Sequence, residues 1–287
     1  APCSSSTWCR AEAVSSAPQH RCSFMDDDPR TAAILARLAA KVGRPRPMVP
    51  ARIEGLPDAQ RAPIVRVLQC FQLGESSEGR IVGEARRTTD PAFDEALKEA
   101  TALYVREEGR HAAILAQLLA GLGAPTRKRA TAEVCFRRGR RLLGLRTKML
   151  VIAAAEVVGV AIYTRIRDGI ASPVIASAVG DIVRDELDHL EFQALLWSRI
   201  IATFGPFSGI AAPAVGLAFA MVLTAATLTV TVEHHAALRQ LGTSPRAFAR
   251  ECLRIGRDLA RETVTAPCYA HVDEVEPEAQ ADLLAAE

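Results

Sequence analysis

The chain has 287 residues, 49% of them hydrophobic and only 5% aromatic, and a formal charge of +2. That length buries a full core in one domain of generous size with room for an appendage, and so small a charge does not by itself call for a nucleic acid or another polyanionic partner. Ala, Leu, Arg and Glu recur while β-branched alternation is scarce, so the apolar period is helical and the expected fold class is all-α.

The first 24 residues, APCSSSTWCRAEAVSSAPQHRCSF, hold no continuous apolar run of the kind a secretory signal needs, and they read as disordered. Met25 ahead of three aspartates would make a natural start. The seven cysteines, at positions 3, 9, 22, 70, 135, 252 and 268, form no Cys-x-x-Cys pair. An odd, scattered set fits reduced thiols in a cytoplasmic protein better than a disulfide framework. DPRTAAILARLAAKVG reads as a short helix closed by Gly43, and RPRPMVPARIEGLP as a Pro-rich connector, which together complete a first segment over 1–57.

A second segment, 58–204, carries the long periodic stretches. One runs from about Asp58 to Thr88. Asp90 as N-cap with Pro91 in the first turn then restarts a helix that reaches about Leu122. After GLGAP and a basic connector, a third helix runs from about Arg138 to Arg167 and stops at Asp168-Gly169, and Ala171-Ser172-Pro173 opens a fourth. Four long helices with short turns inside each pair predict two antiparallel hairpins in a bundle.

The second and fourth of these helices spell nearly the same thing: VREEGRH over 105–111 and VRDELDH over 183–189. Residues three apart share a helix face, so Glu108 with His111, and Glu186 with His189, can each point at one small volume. A single such pair carries little weight on a charged helix, but only two of the six histidines have Glu three residues before them, and both sit in the frame Val-Arg-acid-Glu-x-x-His. The third helix adds Glu156, alone among apolar neighbours in MLVIAAAEVVGVAIY. A buried ionised carboxylate costs several kcal/mol unless it is paired or bound to metal, which favours a ligand role.

The first helix offers Glu75 and Glu78. Glu78 repeats the spacing of thirty between Glu156 and Glu186, but counting from a turn near Thr89 favours Glu75. Glu108 lies about 18 residues past that turn, roughly 27 Å along the helix, and Glu75, about 14 before it, comes nearer that level. Glu84 belongs to the solvated face.

Glu75 or Glu78, Glu108 with His111, Glu156, and Glu186 with His189 together resemble the six-ligand pattern of the ferritin-like di-iron carboxylate superfamily, one Glu from each of two helices and Glu-x-x-His from each of the other two. The resemblance covers roughly 58–201, and Gly74-Glu75-Ser76 is also similar to the first ligand helix of rubrerythrins. It implies an all-α, ferritin-like four-helix bundle holding two iron ions, with manganese the alternative, because carboxylate and imidazole suit both metals. It also implies that Glu107 and Asp185 accept hydrogen bonds from the ligand histidines, exposed acids being the other reading, and that reduced metal reacts with dioxygen or peroxide. Tyr163, two turns beyond Glu156, is a candidate electron carrier or a core tyrosine with a satisfied hydroxyl. No hydroxyl residue follows Glu156 before Tyr163, and no rubredoxin-like Cys-x-x-Cys module accompanies the bundle.

The third segment, 205–287, packs on that bundle as additional C-terminal helices. From Ile200 to Val232 there is no charged residue, long enough to span a bilayer, but Gly205, Pro206, Gly209, Pro213 and Gly216 interrupt its first half. The preferred reading is a turn and a buried fifth helix, ahead of a membrane-inserted hairpin. His234 and His235, beside Glu233 at a helix end, are expected to be exposed. An amphipathic helix and an acidic tail follow. The basic strip of residues 126–148 reads as a solvated connector, or as a peripheral contact with an anionic membrane.

The leading expectation is therefore a cytoplasmic di-iron oxidoreductase of the oxygenase kind, acting with dioxygen and an unidentified electron donor on a small or lipophilic organic substrate. The alternatives are a ferroxidase, peroxidase or iron-handling protein without organic substrate, and a structural or membrane-associated metal-binding bundle. A homodimer fits any of them.

Overall fold

The computed structural model describes residues 28–76, 79–127 and 144–265. Among these residues the chain forms nine α-helices and one 3-10 turn, with no strand. They are α1 (Pro29–Ala40), α2 (Asp58–Glu75), α3 (Arg80–Arg87), α4 (Glu95–Gly121), α5 (Leu145–Gly169), α6 (Pro173–Ala202), α7 (Ser208–Glu233), α8 (His235–Gln240) and α9 (Pro245–Thr265). The protein is all-α: α2 pairs with α4 and α5 with α6, α4 also touches α6, and further helices pack around this bundle.

Local chemistry sets most of the boundaries, with three departures from the sequence reading. The stretch expected as one helix from Asp58 to Thr88 is two, α2 ending at Glu75 and α3 beginning at Arg80. The long second helix is capped by Asp94, not Asp90. The Asp94 side chain accepts from Leu97 N at 2.7 Å, and Glu95 follows in the first turn, where its charge favours the helix dipole. Asp90 instead closes a turn through Ala92 N and takes a two-pronged bond from Arg146 at 2.6 and 2.8 Å. The third helix begins at Leu145 after Gly144; residues 138–143, where an earlier start was expected, lie outside the described residues.

Four of the helices surround the site. Leu97, Leu115, Ile162, Tyr163, Ile182 and Phe192 are among the fully buried side chains between α4, α5 and α6, and the apolar core is continuous from Ile34 in α1 to Leu259 in α9. Arg199 is fully buried. Its guanidinium pairs with the capping carboxylate Asp94 and donates to the Thr31 hydroxyl at 2.8 Å, so one side chain of α6 fixes the starts of α4 and α1. Helix α1, expected only as part of an N-terminal appendage, lies against α4 and α6.

Among the described residues two helices are long and apolar enough to cross a membrane, α5 and the stretch Gly205–Glu233 that contains α7. They differ in burial: 83% of the most apolar part of α5 is inside the protein against 28% for α7. The expectation of a buried fifth helix is thus met on one side only. Phe219, Leu223, Ala226 and Val230 pack against α5 and α9, while Ile210, Leu217, Met221, Leu228 and Val232 face outward.

Candidate metal centre

Three helix positions on α4, Tyr104, Glu108 and His111, lie four and three residues apart and so share one face. Glu186 and His189 do the same on α6, and α5 places Glu156 between them. Glu108, His111, Glu186 and His189 are all buried, and one donor atom from each lies within 4.8 Å of the others. Glu75, in the last turn of α2, completes the group. Its Oε2 is 4.0 Å from His111 Nδ1, and its side chain is 8% exposed. Glu78, the alternative for that position, lies outside the described residues.

Both imidazoles face the centre through Nδ1. His111 Nδ1 is 3.2 Å from Glu186 Oε1 and 3.6 Å from Glu108 Oε1. His189 Nδ1 is 3.0 Å from Glu108 Oε1 and 3.5 Å from both Glu156 and Glu186. Their opposite nitrogens face outer carboxylates, crosswise: His111 Nε2 lies 3.1 Å from Asp185 Oδ2 on α6, and His189 Nε2 lies 3.1 Å from Glu107 Oε2 on α4. Glu107 and Asp185 therefore contact the histidines, each reaching the one on the other helix.

Two tyrosine hydroxyls bond the remaining carboxylates. Tyr163 donates to Glu75 and Tyr104 to Glu156. Tyr104 also meets the His189 ring edge-on at 4.7 Å and stacks on Phe192 at 5.4 Å. Its role escaped the sequence reading, although its place four residues before Glu108 was a usable signal.

Outside this layer lies a cationic one that no local pattern announced. Lys41 Nζ, just beyond α1, is 3.1 Å from Asp185, 3.3 Å from Glu107 and 2.5 Å from Asp188. Arg44 pairs with Asp185, and Arg110 reaches both Asp185, at 3.0 Å, and Asp181. Burial alone would raise the Asp185 carboxyl, but its bond to His111 and the charges of His111 and Lys41 outweigh burial and hold it well below the usual carboxylate range.

The interior carries more negative charge than its own cations offset. Burial, then repulsion from Glu75 and Glu156, pushes Glu108 well above the ordinary range. Burial and repulsion from Glu186 bring Glu156 to about 7. Glu186 is the exception, drawn down to about 2 because the neighbouring Glu156, His111 and His189 outweigh its burial. Burial likewise works against the imidazolium of His111, but the bond to Asp185 and the Glu186 carboxylate beside Nδ1 outweigh it and raise the group to about 9; Glu107 and Glu108 raise His189 in the same sense. Tyr163 is pushed well up by burial and by the Glu75 charge.

His111 Nδ1, His189 Nδ1 and Glu108 Oε1 are buried and complete no hydrogen bond among the described residues. Orphaned buried atoms of this kind are costly, and here all three point into one volume ringed by carboxylates. The donor set, oxygen and imidazole nitrogen without sulfur, fits a hard to borderline transition-metal cation. The buried cluster can hold a metal ion.

Glu84, assigned to the solvated face, is 30% exposed and accepts from Lys148 at 2.7 Å. The expectation for Glu233, His234 and His235 needs correcting. His235 is exposed, but His234 is 3% exposed, because it sits at the junction of α7 and α8 with its ring turned toward Phe71 of α2.

No family model, no curated protein and no solved structure matches this chain.

Proposed function

We propose that the protein is a ferritin-like di-iron oxidoreductase that uses dioxygen to oxidise a small or lipophilic organic substrate. Glu75, Glu108, His111, Glu156, Glu186 and His189 would hold two ions, iron before manganese. The observation that carries this reading is the convergence of four glutamates and two imidazole Nδ1 atoms, buried and in part without hydrogen bonds, from four helices. Iron held there supplies the electrons that dioxygen or peroxide accepts.

The protein's own groups have distinct tasks in this scheme. Glu107 and Asp185, as acceptors at Nε2, fix the tautomer in which each Nδ1 keeps its lone pair for the centre. Tyr163 and Tyr104 hold one oxygen each of Glu75 and Glu156, so the other is presented inward. The aliphatic and aromatic walls of α4, α5 and α6 keep water away, and Lys41, Arg44 and Arg110 offset the charge of the outer acids. The electron donor and the oxidised substrate come from outside the chain.

The second reading is a ferroxidase, peroxidase or iron-handling protein. The third is a metal-stabilised structural bundle attached to a membrane, and the uncharged outward face of α7 favours that reading. Loading the metal-free protein anaerobically with ferrous iron, counting metal per chain and then admitting oxygen tests all three. Two irons and a new visible absorption that appears with oxygen support a reactive centre, and substrate-dependent oxygen consumption then separates the oxidoreductase from the ferroxidase or peroxidase. Two ions indifferent to oxygen favour the structural bundle, and fewer than one ion per chain overturns the centre itself.

A further inference from the structure

Away from the centre just described, α2 and the junction of α7 with α8 bring three other donors together. Cys70 Sγ, a Glu233 carboxylate oxygen and a His234 ring nitrogen all lie within 4.8 Å of one another. Cys70 is 8% and His234 3% exposed. Among the described residues neither nitrogen of the His234 ring has a hydrogen-bond partner, an unusual state for a buried imidazole, which normally satisfies at least one.

We propose that Cys70, Glu233 and His234 form a second, mononuclear metal site suited to zinc or a similar borderline divalent ion. Thiolate, imidazole and carboxylate are the three side-chain types that zinc takes, and three of them leave one position for water or a small ligand. The set differs from the first centre in kind, since only this one contains sulfur, and sulfur shifts preference away from magnesium, calcium and manganese.

The protonation states suit an incoming cation. Burial, helped by the charge of Arg127, lowers His234 to about 4, so its imidazole is neutral at physiological pH and has a lone pair to give. Cys70 binds as thiolate, so the Sγ–H bond breaks, the sulfur electron pair goes to the metal and one proton passes to solvent. Glu233 closes the outer side.

The fold supplies the reason for the junction. Helix α7 ends at Glu233, and His234 breaks the helix with φ −115° before α8 starts at His235. Helix α8 then packs on α2, which carries Cys70 just over one turn before Glu75. Between the two sites stand Phe71, 6.4 Å from the His234 ring, and Tyr163, 5.3 Å from Phe71 and bonded to Glu75. The sites are separate but share an aromatic wall. This inference does not rest on the oxidoreductase reading.

Cobalt(II) titration of the reduced, metal-free full chain tests it. Cobalt bound to thiolate absorbs in the near ultraviolet by sulfur-to-metal charge transfer, which a carboxylate and imidazole centre cannot give. The wild type should develop that band with one equivalent, release about one proton per ion at neutral pH, and lose the band when zinc is added. Cys70→Ser should abolish the band while the equivalents bound by oxygen and nitrogen ligands remain. His234→Gln should weaken the cobalt affinity by at least about tenfold, because loss of a mere outer-layer partner already costs that much. The proposal is overturned if the folded wild type gives no thiolate band, or if the band survives unchanged in Cys70→Ser and His234→Gln, which would place it on another cysteine.

Discussion

His189 Nε2 lies 3.1 Å from Glu107 Oε2, so the histidine of one Glu-x-x-His motif is oriented by the residue that precedes the glutamate of the other. Asp185 and His111 repeat the relationship in reverse at the same distance. The exchange ties α4 to α6 through the centre, and it explains why both motifs carry an acid directly before the motif glutamate.

Removing these acceptors should weaken the centre without abolishing it. Glu107→Gln and Asp185→Asn are each expected to keep the metal count and to lower affinity by roughly 10- to 100-fold, read by competition with a chromophoric chelator. Asp185→Asn should also lower the melting temperature more, since it leaves Lys41, Arg44 and Arg110 with less opposing charge.

Truncating the inner carboxylates and imidazoles should change stoichiometry instead. Glu156→Ala and His189→Ala are expected to bind fewer than two ions. Glu75→Ala should lose one as well, while Glu78→Ala should keep both. Unchanged metal content in Glu156→Ala and His189→Ala would refute the assignment of the centre, and the reverse outcome at 75 and 78 would exchange those two residues.

Without metal, stability should fall as pH rises from about 5 to about 9. Folding raises Glu156 from 4.5 to about 7 and His111 from 6.5 to about 9, and it moves Glu108 and His189 in the same direction. In each case the folded chain keeps a proton that the unfolded chain has released, so folding becomes less favourable across that window, each such proton weakening it by ~1.4 kcal/mol per pH unit. Glu186, held at about 2, and His234, lowered to about 4, act in the opposite sense; the first contribution is complete above 4.5 and the second above 6.5, so the fall is steepest between about 6.5 and 9. Metal replaces those protons, so the loaded protein should gain over the metal-free form as pH rises. Melting temperatures at pH 5 and 8.5, with and without metal, measure both slopes.

Asp94→Ala should be among the more damaging changes outside the centre. It removes the N-cap of α4, typically worth ~1 kcal/mol, and the carboxylate opposite buried Arg199, and breaking a buried pair costs about 3–5 kcal/mol. Denaturant unfolding should show a loss of at least about 3 kcal/mol, whereas Asp90→Ala, whose partner Arg146 is 34% exposed, should cost about 1 kcal/mol or less.

The pattern of residues three apart on a helix was readable directly, because 3.6 residues per turn fix which side chains share a face regardless of their surroundings. Glu108 with His111, Glu186 with His189, and the isolated acid Glu156 follow from that periodicity and from the cost of burying charge. Helix existence was legible for the same reason. Boundaries were less so: Asp90 was read as the N-cap, whereas Asp94 caps α4 and pairs with Arg199, and Asp90 is taken up by Arg146.

What the order of residues by itself determined is thus an all-α chain with two matched Glu-x-x-His faces and a carboxylate among apolar neighbours. Tertiary structure alone decided what lies across from them. Lys41 and Arg44 reach Asp185 from about 140 positions away, Tyr163 reaches Glu75 across 88, and His234 turns inward to Cys70 across more than 160. Helical periodicity specifies the direction of a side chain relative to its own axis, but the partner it meets depends on how separate helices pack, and that is set by the whole buried surface.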